Sequence, residues 1–281
     1  MAVINTNTGS LYAQQALTSN ARALSTVMQQ LSTGKRINNA VDDVAGMAIS
    51  TRLTSQIRGL NQAVRNANDG ISLIQTAEGA TEQVTNMLQR MRELAVQASN
   101  DTNNTSDRSY LNLEFQALST QIGVIATQTQ WNGANVLDGA NRGSGAGVIS
   151  FQVGANSTQT IAVTLSNMTT SSGVGKLSAI TTNLITSTTK AASALTSIID
   201  ALDTVSMERS NMGAVISRLQ FAADNLSNVS AKAQESRSRI EDTDYSQATT
   251  ELARRNIIQQ AAQAMLAQAN QQPTAVLQLL R

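Results

Sequence analysis

The chain has 281 residues, of which 41% are hydrophobic but only 2% aromatic and 14% charged, with a net charge of +1. So few aromatics argue against a thick globular core and favour thin helical layers with Ala-lined approaches; near-neutrality denies a nucleic-acid partner its electrostatic footprint. The absence of Cys and His excludes disulfides, thiol catalysis and zinc–thiolate sites, and removes the commonest general base and metal ligand.

The N-terminus, Met1-Ala2-Val3-Ile4-Asn5, shows no basic start followed by an apolar core, so no cleaved signal peptide of the usual kind is expected. No stretch reaches the roughly 18 uncharged apolar residues of a membrane span. Residues 1–10 are polar and predicted to be extended. Leu17, Ala21, Leu24, Met28 and Leu31 then recur in steps of four and three, the signature of a helical seam, which Gly34 ends. Residues 35–43, KRINNAVDD, are a linker, with Asp42 or Asp43 capping the next helix. That second helix carries Ile49, Leu53, Ile57, Leu60, Val64, Ala67, Ile71 and Ile74, then after one shortened step Ala77, Thr81, Val84, Leu88, Met91, Ala95 and Ala98. Gly59, Gly70 and Gly79 lie inside it, each costing about 1 kcal/mol relative to Ala, so close packing against another backbone is their expected reason. Residues 100–106 form a turn with Ser106 as cap. Leu111, Phe115, Leu118, Ile122, Ile125 and Thr129 give a third helix, short enough to fold back on the second.

After Trp131-Asn132-Gly133 the character changes. Residues 138–147 are a Gly-rich loop, and the β-favouring runs 148–153 and 160–165 around Gly154-Ala155-Asn156 predict a hairpin. Residues 166–189, rich in Ser, Thr and Gly, read as a surface loop. From Ala191 to Ile240 a coiled-coil seam then runs without a slip: Leu195, Ile198, Leu202, Val205, Met212, Ile216, Leu219, Leu226 and Ile240 are its large members, interrupted by Arg209, Ser230 and Arg237. As one helix it would be about 75 Å long, and such an apolar stripe needs partners, which the second and third helices supply. The three polar interruptions are expected to face neighbouring copies of the chain. Glu241-Asp242-Thr243-Asp244 breaks this helix and caps the last one, where Ile257, Ile258, Ala261, Ala262, Met265 and Ala269 share one broad face. Pro273 is predicted to end or kink it.

The order is close to a palindrome: short helix, linker, long helix, variable middle, long helix, linker, short helix. The expected fold is mainly α, a long antiparallel coiled-coil-like bundle with a small β-hairpin and paired terminal helices. The ends are expected to be loosely ordered in the monomer and to dock as a pair when subunits assemble.

These residues resemble bacterial flagellin. The likeness is carried by MAVINTNTGSLYAQQAL, LSTGKRINNAVDDVAGMAIS, TRLTSQIRGLNQAVRNANDGISLIQTAEGA, LQRMRELAVQASN, DRSYLNLEFQALSTQI and WNGANVLDG on the N-terminal side. On the C-terminal side it is carried by ERSNMGAVISRLQFAADNL, SRIEDTDYS and NQQPTAVLQLLR. It covers roughly residues 1–140 and 190–281. The resemblance implies a structural, non-enzymatic subunit that needs no cofactor and polymerises with itself into the helical filament of the flagellum for swimming. It implies extracellular placement after unfolded export by the flagellar type III route, with a hook–filament junction protein as the alternative. It places residues 1–43 and 241–281 as the two halves of an inner terminal-helix domain, and 44–138 with 190–240 as the helix-bundle domain. Residues 139–189 form a short variable segment where larger members carry outer domains. Filament cap and junction proteins are further implied partners.

The resemblance also assigns sites. Leu88, Gln89, Arg90, Arg92, Glu93 and Leu94, with Glu114, match the segment bound by the animal Toll-like receptor for flagellin, with Met91 where the family commonly has Val. By spacing, Leu88 and Met91 are seam residues. The tail Val276, Leu277, Leu279 and Leu280 matches the part held by an export chaperone and sensed by cytosolic immune receptors; simple packing in the inner tube is the alternative role. Ser32-Thr33-Gly34-Lys35 fits S-x-x-K but has no S-D-N or K-T-G elsewhere and reads as a helix end. Asp42-Asp43 and Glu241-Asp242-Asp244 are helix caps rather than metal ligands. The Gly-rich loop lacks the strand–loop–helix context of a phosphate cradle. The Ser/Thr residues of 166–189 offer O-glycosylation acceptors in an otherwise solvated loop.

Overall fold

The computed structural model describes residues 6–139, 147–169, 180 and 184–279, with side chains as far as 271. Its elements are α1 (Thr8–Thr33), α2 (Val44–Ala98), α3 (Thr105–Gln128), the strands β1 (Gln130–Trp131), β2 (Ala134–Asn135), β3 (Val148–Gln152) and β4 (Thr160–Thr164), then α4 (Thr188–Glu241) and α5 (Tyr245–Leu279). They divide into two compact units: Met1–Ile57 with Ala231–Arg281, and Arg58–Ser230. The protein is mainly α, as its heptad periodicity predicts, and none of the described helices is long and apolar enough to cross a membrane.

In the first unit α1 and α5 pair antiparallel, tied by Asn7 to Ala269, Asn20 to Arg255 and Tyr245 to Leu31. The face that α1 presents to α5 is Ala13, Leu17, Asn20, Leu24, Val27 and Leu31, all buried or half-buried. This is the predicted seam with its frame corrected: Ala21 and Met28 are exposed, and Asn20 and Val27 take their places. Asn20 defeats an apolarity count because its amide Nδ2 donates to the Arg255 carbonyl at 2.9 Å, which makes a polar group tolerable inside. On α5 the matching stripe is Ala248, Leu252, Arg255, Gln259, Ala262, Leu266 and Ala269, again in steps of four and three. The broader face expected there is corrected likewise, since Ile257, Ile258, Ala261 and Met265 are exposed. Gly34 ends α1 in the left-handed conformation (φ 71°), donating to Gln30. Asp43 Oδ1 accepts the Gly46 amide as the cap of α2, and Asp244 Oδ1 accepts Ser246 and Gln247 at the start of α5. α5 is not ended by Pro273; the helix continues to Leu279.

In the second unit, buried residues of α2, α3 and α4 form one core with the hairpin and the segment around it. Ala191, Ile198, Val205, Met212 and Leu219, seven apart, are buried, and so are Ala194, Ala201, Glu208 and Val215. Leu195, Leu202, Ile216 and Leu226 are half-buried at the flank. The seam therefore runs between the first two series, because Ala at its centre lets helices approach while the longer Leu side chains reach in from the edge. Arg209, Ser230 and Arg237 do not need neighbouring copies: Arg209 lies 3.8 Å from Glu78, Ser230 donates to Asn61 at 2.8 Å, and Arg237, in the first unit, donates to Thr54 at 3.2 Å.

The predicted hairpin is β3 paired antiparallel with β4. It rides along α2: a Cβ on Gly70 would stand 2.9 Å from the Phe151 ring, one on Gly59 3.0 Å from the Ala155 Cβ and 3.4 Å from its Cα, and one on Gly79 would meet nothing within 4 Å. Close backbone approach therefore accounts for Gly59, an aromatic ring for Gly70, and neither for Gly79. A second hairpin, β1 with β2, turns on Asn132 (φ 48°) and Gly133 (φ 75°), the left-handed pair of a tight Asn-Gly turn. α3 is capped by Asn104, in a reciprocal box with Asp107, in place of Ser106. The segment after β4 is not wholly a surface loop, since Leu165, Met168, Ile180 and Ile185 are buried in the core. The predicted Gly-rich loop and much of the Ser/Thr-rich segment lie outside the described residues.

Candidate functional site

Three places in the described residues combine exposure, charge or unusual polar satisfaction. The first is the α1–α5 pair. Each helix spends one stripe on its partner; α5 leaves a second one uncovered, Ile257, Ile258, Ala261 and Met265, with Ile257 and Met265 66% and 65% exposed, while α1 leaves Leu11, Tyr12 and Met28 exposed at separate points round its circumference. An isolated helix pair gains nothing by presenting such side chains to water, and apolar groups clustered this way mark surfaces meant for burial. Asn7 closes the far end of the pair. Its Oδ1 accepts the Ser10 amide at 3.1 Å and its Nδ2 donates to the Ala269 carbonyl at 2.7 Å.

The second is the junction of the two linkers. Arg36 N donates to the Glu241 carbonyl at 2.6 Å and Thr243 N to the Gly34 carbonyl at 3.0 Å, so the segments joining α1 to α2 and α4 to α5 pair as a short antiparallel bridge at Lys35 and Asp242. Glu241 is the hub. Its carboxylate meets Lys35 Nζ at 2.6 Å, accepts Ser50 Oγ at 2.7 Å and lies 4.0 Å from Arg237 Nε. The Lys35 hydrogen bond, with Ser50 and Arg237 behind it, holds this carboxyl below the usual glutamate range against the opposing effect of burial. Lys35 of the S-x-x-K segment is thus engaged in an ion pair. Asp42 accepts the Asn38 and Asn39 amides and Asp43 caps α2, so these carboxylates are occupied by backbone.

The third is the exposed face of α2 near its C-terminus. Arg90 Nε meets Glu114 Oε1 of α3 at 2.9 Å and its Nη1 meets Glu93 Oε2 at 2.8 Å; these two partners, Glu114 first, push the guanidinium pKa up. Gln89, Arg92 and Glu93 are exposed, and with Val96, Gln97 and Leu202 they line a groove of about 610 Å³. Leu88 and Leu94 are in the core, 0% and 1% exposed, so this face offers a partner polar groups and not those two leucines. The tail side chains Val276, Leu277, Leu279 and Leu280 lie outside the described residues.

Two buried polar anchors escape a reading of apolar periodicity. Glu208 accepts Ser166 N and Ser166 Oγ, both at 3.0 Å, and Asn112 Oδ1 accepts the Ile185 amide at 3.0 Å. Together they fix the start and the return of the variable segment. The only hint in the sequence is a polar residue falling on a core-facing heptad position, which a stripe drawn through the large apolar residues passes over.

The N-terminal side of the chain, residues 4–142, matches the family described as the bacterial flagellin N-terminal helical region, and residues 195–280 match the bacterial flagellin C-terminal helical region. The chain is 47% identical over 283 residues to the flagellin of Halalkalibacterium halodurans, covering 99% of this chain and 100% of that one. It is 40% identical over 302 residues to the flagellin of Bacillus subtilis, with 99% of each chain covered. Among solved structures it is similar to a putative flagellar hook-associated protein from Vibrio parahaemolyticus, with a TM-score of 0.57 at 14% identity over 72% of this chain and 100% of that one. At that identity the likeness speaks for the fold alone.

Proposed function

The chain belongs to the bacterial flagellin family, and on that premise we propose that polymerisation buries the second apolar face of α5 and the exposed apolar side chains of α1. The protein is a structural subunit of the extracellular flagellar filament. The observation that carries the proposal is the second apolar stripe of α5, with Ile257, Ile258 and Met265 left to water beside the stripe satisfied within the chain, together with the exposed Leu11 and Met28 of α1. Each large side chain moved from exposed to buried contributes about 1.5–3 kcal/mol, and a head-to-tail contact that repeats without closing builds an open helical filament.

In this scheme residues 1–43 and 241–281 form the inner layer and the α2–α3–α4 bundle the layer outside it. The chain travels unfolded through the flagellar type III route, with the apolar tail Val276–Leu280 covered by an export chaperone until the filament covers it, and cap and junction proteins meeting the growing polymer. The exposed set Gln89, Arg90, Arg92, Glu93 and Glu114 is the surface offered to the animal Toll-like receptor, while Leu88 and Leu94 support it from beneath. The 14% likeness to a hook-associated protein speaks for the fold alone and lends the hook–filament junction reading nothing, whereas the identity to a flagellin is 47% over the full length.

Seeded growth tests the assembly. Purified monomer mixed with short filament fragments at neutral pH is expected to give long filaments by electron microscopy. Monomer that stays unpolymerised with seeds while retaining its helical circular dichroism overturns the proposal.

A further inference from the structure

The helix α5 contains a residue that cannot complete it. In an α-helix the amide of residue 273 would bond the carbonyl of residue 269, and Pro273 has no amide to give. The carbonyl of Ala269 is therefore short of its ordinary donor, and a stranded carbonyl at a helix–helix contact costs the desolvation of that group. In the structure that same carbonyl, Ala269 O, receives Asn7 Nδ2 at 2.7 Å from across the terminal pair. The amide orientation is chemically forced: Asn7 Oδ1 faces the Ser10 N–H, which can only donate, and Nδ2 faces a carbonyl, which can only accept. The approach is open because the neighbouring positions are small, with a Cβ on Gly9 lying 3.8 Å from the Ala269 Cβ.

We propose that Asn7 and Pro273 form a register clip for the terminal helices: Pro273 frees one carbonyl on α5, and Asn7, at the start of α1, supplies the missing donor. Apolar stripes repeating every seven residues with Ala, Leu and Gln in them fix rotation well but axial position poorly, since a slip of one heptad brings similar residues together. A single freed carbonyl exists at one axial level only. Asn7 is thus a positioning residue for the α1–α5 pair, and through it for the surface that assembly buries; this last step rests on the proposed filament role.

Four proteins test the clip: wild type, Asn7→Asp, Pro273→Ala and the double variant, with Asn7→Ala as a fifth. Aspartate still caps the Ser10 amide but cannot donate to Ala269. Hydrogen exchange of the monomer across residues 8–20 and 262–279 reads the pairing, and the critical concentration for seeded growth reads the assembly. In the wild-type background Asn7→Asp is expected to speed exchange, and to raise the critical concentration, by about three- to tenfold, the range of one hydrogen bond, and Asn7→Ala, which also loses the cap, by more. With Pro273→Ala the backbone amide returns, and adding Asn7→Asp, which keeps the cap on Ser10, is expected to change little. Equal effects of Asn7→Asp with and without Pro273, or wild-type exchange in Asn7→Asp, overturn the clip. If no variant polymerises, including wild type, the exchange cycle still decides the clip and the failure belongs to the filament reading.

Discussion

At the scale of single residues, exposure separates contacts from supports. Arg90 bridges Glu114 and Glu93 across α2 and α3 while half-exposed, so Arg90→Ala is expected to cost the fold less than about 1 kcal/mol. Leu88 is fully buried, and Leu88→Ala is expected to cost about 2–4 kcal/mol through the cavity it leaves. Receptor activation by the folded monomer is expected to fall in Arg90→Ala with the melting temperature nearly unchanged, and in Leu88→Ala only alongside a lowered melting temperature. An Arg90→Ala monomer that activates undiminished removes Arg90 from the contact surface. The same distinction marks what the sequence could convey. The helix caps at Asp43 and Asp244 and the stop at Gly34 follow from local chemistry, which depends on neighbours a few residues away. Asn20, Asn112 and Glu208 were not legible as interior residues, because what makes each tolerable is a partner 235, 73 or 42 residues away.

At the scale of elements, periodicity located all five described helices but set the frame of each seam less well. On α1 and α4 the stripe drawn through the largest apolar side chains is offset from the buried one, since Ala and a bonded Asn or Glu sit at the centre and Leu or Met at the margin. On α5 the offset is complete enough that the broad apolar face lies largely outside the pair, and it is this face that we propose assembly covers. The glycines of α2 show the same limit, because their neighbours come from a hairpin about 80 residues on. Substitution separates their roles. Gly79→Ala meets nothing within 4 Å and is expected to raise stability by about 0.5–1 kcal/mol from helix propensity. Gly70→Ala would push its Cβ to 2.9 Å from the Phe151 ring, and the repacking is expected to outweigh that gain, for a net loss of about 1 kcal/mol. Chemical denaturation of the two variants checks the opposite signs; equal stabilisation by both would mean that the hairpin does not press on α2.

At the scale of the whole molecule, the two units draw on different forces and so should respond differently to acid. The core of the Arg58–Ser230 unit is a cluster of apolar side chains, whose burial does not depend on pH. The unit formed by Met1–Ile57 and Ala231–Arg281 contains three carboxyls held below their ordinary ranges: Asp43 by the Gly46 amide with Arg36, Glu235 by Lys232 and Arg239, and Glu241 by Lys35, Ser50 and Arg237. A carboxyl whose pKa is lower folded than unfolded contributes stability in full above the unfolded value, about 4–4.5, and loses it as pH falls through the folded value. Glu235 is nearly half-exposed and screened by salt, so most of the effect falls on Glu241, whose side chain is only 15% exposed. Hydrogen exchange of the monomer stepped from pH 7 to pH 3, corrected for intrinsic rates, is expected to show protection lost across α1 and the described part of α5 at a higher pH than across α3. Glu241→Gln removes the charge that Lys35 and Arg237 meet, and is expected to cost the terminal unit about 1–2 kcal/mol at pH 7 and to flatten its loss below pH 5. Simultaneous loss of protection in both units, or an unchanged pH profile in Glu241→Gln, would show that the linker junction is not the acid-sensitive element, and would leave the terminal pair dependent on its apolar stripe and on the Asn7, Asn20 and Tyr245 contacts.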